Sequence, residues 1–144
     1  MNLRNALRVT CVFALLCGCS GNAQGGAVTA KDLLHKEFAL QTVNGTAFVA
    51  KDNTPTIAFL TDMQVVGSVC NRFFGKGTLK DDVLRVDPMG ASMMMCPEEN
   101  LTQLEMKFFK MMAAGVTVRL EDDQLTLEQG GTTLLYKFKG TPKE

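Results

Sequence analysis

From residue 36 onward the side chains mostly alternate apolar and polar, and one segment breaks that period with another. Phe38-Ala39-Leu40-Gln41-Thr42-Val43 runs into Asn44-Gly45, a dipeptide suited to a tight hairpin turn because both residues accept positive φ. Further strands are expected over residues 56–60, 65–71, 73–80 and 83–86, with turns at Thr61-Asp62-Met63 and Asp81-Asp82. Three more follow around Val116, Val118 and Leu120, around Leu125 and Leu127, and over residues 132–139, separated by Asp122-Asp123 and Gly130-Gly131. The exception is Leu101, Leu104, Phe108, Met111 and Gly115, whose spacings of three and four put one apolar stripe on a helix over about 98–114. About eight short strands and one amphipathic helix predict an α+β fold: a small antiparallel, partly open barrel-like sheet with the helix covering an open end or face.

At 144 residues the chain has room for one domain and a leader. Fifteen basic and fifteen acidic side chains leave no polybasic footprint, so nucleic acid is not an expected partner. A monomer is expected. Catalysis by an acid, base or nucleophile calls for a histidine or paired carboxylates in a pocket. The single histidine, His35, stands beside Lys36 before the first strand, Ser68 has no visible partner, and the Asp pairs occupy turn positions. Neither an enzyme nor a cofactor is therefore expected. Met93, Met94 and Met95 beside Cys96 raise the alternative of soft thioether ligands for Cu(I). A contiguous run cannot aim three sulfurs to one side of a strand, however, and methionine more often fills irregular apolar cores and grooves; no metal site is expected.

Residues 1–18 have the grammar of a secretory signal: Arg4 and Arg8, an apolar run over residues 9–16, then small residues. That run is about half of the ~20 residues that span a bilayer. Its end, Leu16-Cys17-Gly18-Cys19, resembles the lipobox of bacterial lipoproteins, in which cleavage exposes a cysteine that is then acylated. The resemblance implies lipidation at Cys19 and a membrane partner through that lipid; a plain signal peptide and a Cys-x-Cys metal pair are the alternatives. Serine at position 20, rather than aspartate, implies passage to the outer membrane, facing the periplasm. Residues 19–32 open small and Gly-rich and read as a flexible tether, with the folded domain over 33–140. Fifteen basic residues less Arg4 and Arg8, against fifteen acidic, leave a net charge of about −2.

Once Cys11 and Cys17 leave with the leader and Cys19 is acylated, Cys70 and Cys96 remain, 26 residues apart. In an oxidising compartment the simplest expectation is that they pair, closing a loop worth roughly 3–4 kcal/mol by chain-entropy reasoning. Two free buried thiols are the alternative.

Asn44-Gly45, the stretch GSVCNRFFGKG over residues 67–77, ASMMMC over 91–96 and the closing LTLEQGGTTLLYKF look like the META domain, and in particular its heat-inducible lipoprotein branch, the HslJ family. The resemblance covers about residues 33–139. It implies a small, partly open barrel with one helix, an envelope location and no established enzymatic activity, and a fold similar to that of lipid-binding pilot lipoproteins. Within CNRFFGKG, Gly75 and Gly77 are expected to bend or bulge the strand, Asn71 to bond nearby backbone, and Arg72 either to remain solvated or to meet an anion. The functional expectation is a non-catalytic envelope lipoprotein serving envelope integrity or stress response, binding an apolar ligand in a cleft between helix and sheet. Its lining would come from Met93, Met94, Met95, Phe108, Met111 and Met112, and Arg72 is a further candidate binding residue. The alternative is a periplasmic chaperone or pilot that binds an envelope protein.

Overall fold

Tight turns carry the chain back and forth through antiparallel strands, as the period-two pattern requires. The structure, a computed structural model, describes residues 26–143. A single helical turn, α1 (Ala30–Leu33), leads into β1 (Lys36–Val43), β2 (Thr46–Ala47), β3 (Thr56–Phe59), β4 (Gln64–Ser68), β5 (Arg72–Lys80) and β6 (Val83–Ala91). Helix α2 (Glu99–Ala114) follows, and β7 (Val116–Glu121), β8 (Gln124–Gln129) and β9 (Thr132–Gly140) complete the fold. The expected turn residues Asn44, Gly45, Asp62, Asp81, Asp82, Asp122, Gly130 and Gly131 all take positive φ.

Each of the eight longer strands pairs with its neighbours in order, and β9 returns to pair with β1, so the sheet closes into a barrel; β2 is a two-residue flap on β1. One seam is narrow. β6 and β7 share only Val83↔Thr117 and Leu84↔Val116, after which β6 diverges and α2 packs against it. The expected partial opening is therefore this seam, and the helix closes it. Gly115 stops α2 at φ 102° while its N–H reaches the Met111 carbonyl, and Arg85 Nη2 donates to the Ala114 carbonyl at 3.0 Å, placing a cation at the helix C-terminus.

Alternate residues fill the interior: Phe38 and Leu40, Ile57 and Phe59, Leu84 and Val86, Val116 and Val118, Leu125 and Leu127, Leu134 and Tyr136. Leu101, Leu104, Phe108, Met111 and Met112 of α2 join the same core. The barrel is drawn in where side chains are small. A Cβ on Gly67 would lie 2.1 Å from the Thr56 carbonyl oxygen, so the β3–β4 contact there tolerates only glycine. Between Gly75 and Gly77 the β5–β6 register shifts, the bulge expected from the sequence.

Part of the segment expected as tether is seated on the barrel. The Val28 N–H donates to Asp82 Oδ1 at 2.5 Å, Leu33 is fully buried, and Thr29 with Asp32 forms a capping box on α1. The Thr29 hydroxyl and N–H hold the Asp32 carboxyl below its ordinary value. Residues 1–25, with the expected signal peptide, Cys19 and the start of the tether, lie outside the described residues. The chain thus enters at the end of the barrel that carries the β5–β6 turn, while the β4–β5 corner and residues 92–98 lie at the opposite end.

Tyr136, the one tyrosine in a chain without tryptophan, is buried, and desolvation raises its phenol far above the ordinary value of 10.0. The folded state therefore holds this proton more tightly than the unfolded chain. Its contribution is complete below about pH 10 and falls as pH rises beyond that. Tyrosinate absorbance should stay absent until the barrel opens at alkaline pH, and Tyr136→Phe should lose stability less steeply than wild type above pH 10. A gradual titration of the phenol in the folded protein would contradict this burial.

Candidate functional site

Cys-Asn-Arg-Phe, residues 70–73, forms the corner between β4 and β5, and each residue ties the barrel to something outside it. Cys70 is joined to Cys96 with the Cα atoms 6.0 Å apart, within the span a disulfide requires. Phe73 points inward, its ring centroid 5.0 Å from that of Phe108 and 6.1 Å from that of Phe109, both on α2. Arg72 points outward and is exposed; its backbone N–H donates to Ser92 Oγ at 3.2 Å and its carbonyl accepts from the Ser92 N–H at 3.0 Å. Among the described residues no anionic partner meets its guanidinium.

Asn71 is the hub. Its side chain is nearly buried and spends all of its amide capacity on two segments, the loop of residues 92–98 and α2. Oδ1 accepts from the Met94 N–H at 2.7 Å and from Ser92 Oγ at 3.2 Å, while Nδ2 donates to the Met94 carbonyl at 3.3 Å and to Glu105 Oε1 at 2.9 Å. Glu105 of α2 returns the contact through Oε2, which accepts from the N–H of Cys70 at 3.0 Å and of Asn71 at 2.5 Å. A carboxylate thus satisfies two backbone donors of a corner that has no strand partner there. Asn71 was expected to bond local backbone; Glu105 was missed. Its position held a signal, since residue 105 lies four after Leu101 and three before Phe108, on the flank of the apolar stripe.

These clamps hold the loop of residues 92–98 by its backbone and leave its side chains outside. Met93, Met94 and Met95 are 98%, 75% and 95% exposed, and Met106, one residue along α2 from Glu105, is also exposed. By contrast Phe108, Met111 and Met112 are buried in the barrel core. The six residues expected around one cleft are therefore split between the inside of the helix–sheet interface and the solvent. The reason is geometric: Asn71 pins Met94 by its N–H and carbonyl, Cys96 pins the loop's end, and the helix stripe has already filled the seam. Elsewhere, a surface cleft of about 560 Å³ runs on the barrel's outer face between Asp62, Phe74, Lys76 and Pro88, with the Phe74 ring laid over Gly90. Among the described residues no three His, Cys, Asp or Glu side chains converge as metal ligands, and no helix is long and apolar enough to cross a membrane.

Removing the Glu105 carboxylate should cost about 3 kcal/mol, because hydrogen bonds to a charged acceptor are lost and buried donors are left unmet. In chemical denaturation, Asn71→Ala and Glu105→Ala should each destabilise, and the double variant should lose clearly less than the sum of the two. Reductant should lower the midpoint of all four proteins alike if Cys70 and Cys96 pair independently of this network. Strictly additive losses would mean that Asn71 and Glu105 do not act as one unit.

Three comparisons bear on this architecture. Over 124 residues the chain is 37% identical to the heat shock protein HslJ of Escherichia coli (strain K12), covering 86% of this chain and 88% of that protein. A solution NMR structure of a protein 37% identical superposes with a TM-score of 0.71 over 76% of this chain and 94% of the other. A second, from Burkholderia xenovorans, is 19% identical with a TM-score of 0.62 over 95% and 99% of the two chains, a likeness of fold. The META domain model matches residues 31–140, from α1 through the last strand, and with it the Asn71 hub, the paired cysteines and the methionine loop: the chain belongs to the META domain family.

Proposed function

We propose that this protein is a non-catalytic, lipid-anchored envelope protein of the heat-stress response that holds apolar segments of other envelope proteins on its outer surface. The observation that carries this reading is the run Met93, Met94 and Met95, almost fully exposed on a loop whose backbone is tied down. Burying such side chains is ordinarily worth about 1.5–3 kcal/mol each, and a chain that keeps three in water next to a fully packed core presents a surface for something else. Methionine suits that surface because its flexible, polarizable thioether adapts to partners of different shape. The similarity to a heat shock protein supports the same reading, since heat exposes apolar segments. The sealed helix–sheet interface speaks against an internal ligand cleft, so the activity is assigned to the exterior.

The anchor fits this arrangement. Val28 lies nine positions after Cys19, a reach of at most about 30 Å, and it docks at the barrel end opposite the methionine loop. A lipid on Cys19 would hold that end toward the membrane and turn Met93, Met94 and Met95 toward the periplasm, where Cys70 and Cys96 would be oxidised. Cys19→Ser should abolish palmitate incorporation and release the protein from the outer-membrane fraction; label entering the variant would refute the anchor.

For the surface itself, the mature domain should slow the aggregation of a thermally unfolded model protein, followed by light scattering. The triple change Met93→Gln, Met94→Gln and Met95→Gln should lose most of that effect while its melting temperature stays within a few degrees of wild type. Equal protection by the triple variant would exclude the loop as the binding surface.

A further inference from the structure

The thioethers at residues 93, 94 and 95 have a chemistry that an aliphatic surface would lack. We propose that this loop is a site of reversible methionine oxidation, and that its sulfoxidation converts the apolar surface into a polar one without unfolding the barrel. The inference rests on the binding role proposed above for the switching consequence, though not for the modification itself.

Three observations converge on the loop. Exposure is the first: Met93 and Met95 are open to solvent over more than nine-tenths of their area, and Met94 over three-quarters, whereas Met111 and Met112 are enclosed in the core. Oxidant access therefore differs sharply between two groups of the same residue type in one small domain. The second is the clamp. Asn71 holds the Met94 N–H and carbonyl, Ser92 is bonded to Arg72, and Cys96 is joined to Cys70, so the loop is held by these groups and not by the side chains of Met93, Met94 and Met95. Adding oxygen to these sulfurs removes no packing contact from the core. Position is the third, since the loop sits at the end of the barrel away from the chain's entry.

The step balances with a two-electron oxidant of the peroxide or hypohalous acid class. With hydrogen peroxide, the sulfur lone pair attacks the terminal oxygen, the O–O bond breaks, and the products are the sulfoxide and water. With hypochlorous acid, sulfur attacks chlorine, water displaces chloride from sulfur, and loss of two protons, one of which balances the departing hydroxide, leaves the sulfoxide, chloride and one net proton. Sulfur loses two electrons in each case, and a thiol-dependent methionine sulfoxide reductase reverses the change. The product side chain is polar and can accept hydrogen bonds, so three oxidised residues in a row would no longer hold an apolar segment.

The test treats the mature protein with graded hydrogen peroxide, maps sulfoxide residue by residue by mass spectrometry, and follows melting and aggregation suppression on the same samples. Residues 93, 94 and 95 should oxidise on the order of tenfold faster than Met111 and Met112, with the melting temperature unchanged. Suppression by the oxidised wild type should fall and return after reductase treatment. A variant with Met93→Leu, Met94→Leu and Met95→Leu keeps an apolar surface without sulfur and should suppress before and after peroxide alike. Equal oxidation rates for loop and core methionines, or unfolding as the loop oxidises, would overturn the modification site. Undiminished suppression by loop-oxidised wild type would overturn the switch and leave the binding role standing. Absence of suppression by both untreated wild type and the Leu variant would instead remove the binding role and the switch with it, while the sulfoxide map alone would still decide the modification.

Discussion

The carboxylate of Glu105 stands at the one place where barrel, helix and loop meet. At the β4–β5 corner the ladder runs out, and the N–H groups of Cys70 and Asn71 have no strand to donate to. Both donate to Glu105 Oε2, and the Asn71 amide, held by Oε1, is left oriented to grip the backbone of Met94. Remove this acceptor and three parts lose their mutual register: the corner, the first half of α2 and residues 92–98. The aromatic contact of Phe73 with Phe108 and Phe109 adds apolar area to the same junction, and the Cys70–Cys96 link spans its rim.

That junction explains why a nearly closed barrel needs a helix. β6 keeps company with β7 for two residue pairs and then leaves, exposing the interior along the rest of its length. An amphipathic helix with a stripe wide enough to include Phe108, Met111 and Met112 fills the gap, and its Glu105 flank is bolted to the corner. Phe108, Met111 and Met112 are thereby spent on packing between helix and sheet. The same backbone clamps hold the methionine loop out in solvent, so the closed interior and the apolar exterior have one cause.

Much of this was legible in the residues. Turn dipeptides such as Asn44-Gly45, Asp81-Asp82 and Gly130-Gly131 mark hairpins because few residues accept positive φ, and the periods of two and of three to four separate strands from helix without any tertiary information. The bulge at Gly75 and Gly77 was legible for the same local reason. The start of the folded unit was less so: Val28 bonds to Asp82, 54 residues away, and packs against the core, and the short capped turn that buries Leu33 has no periodic pattern.

Local chemistry, in short-range pattern and in the steric needs of glycine and the turn residues, determined the strands, the helix, the turns and the class of fold. Tertiary structure decided what pattern cannot encode, namely which apolar residues meet. Phe108, Met111 and Met112 are apolar like Met93, Met94 and Met95, yet the first set lies on a helix face that must cover a seam. The second lies on a loop whose backbone polar groups were taken by Asn71 and whose side chains had no interior left to enter. Hydrophobicity states that a side chain prefers burial; only the closed packing around it determines whether a place exists.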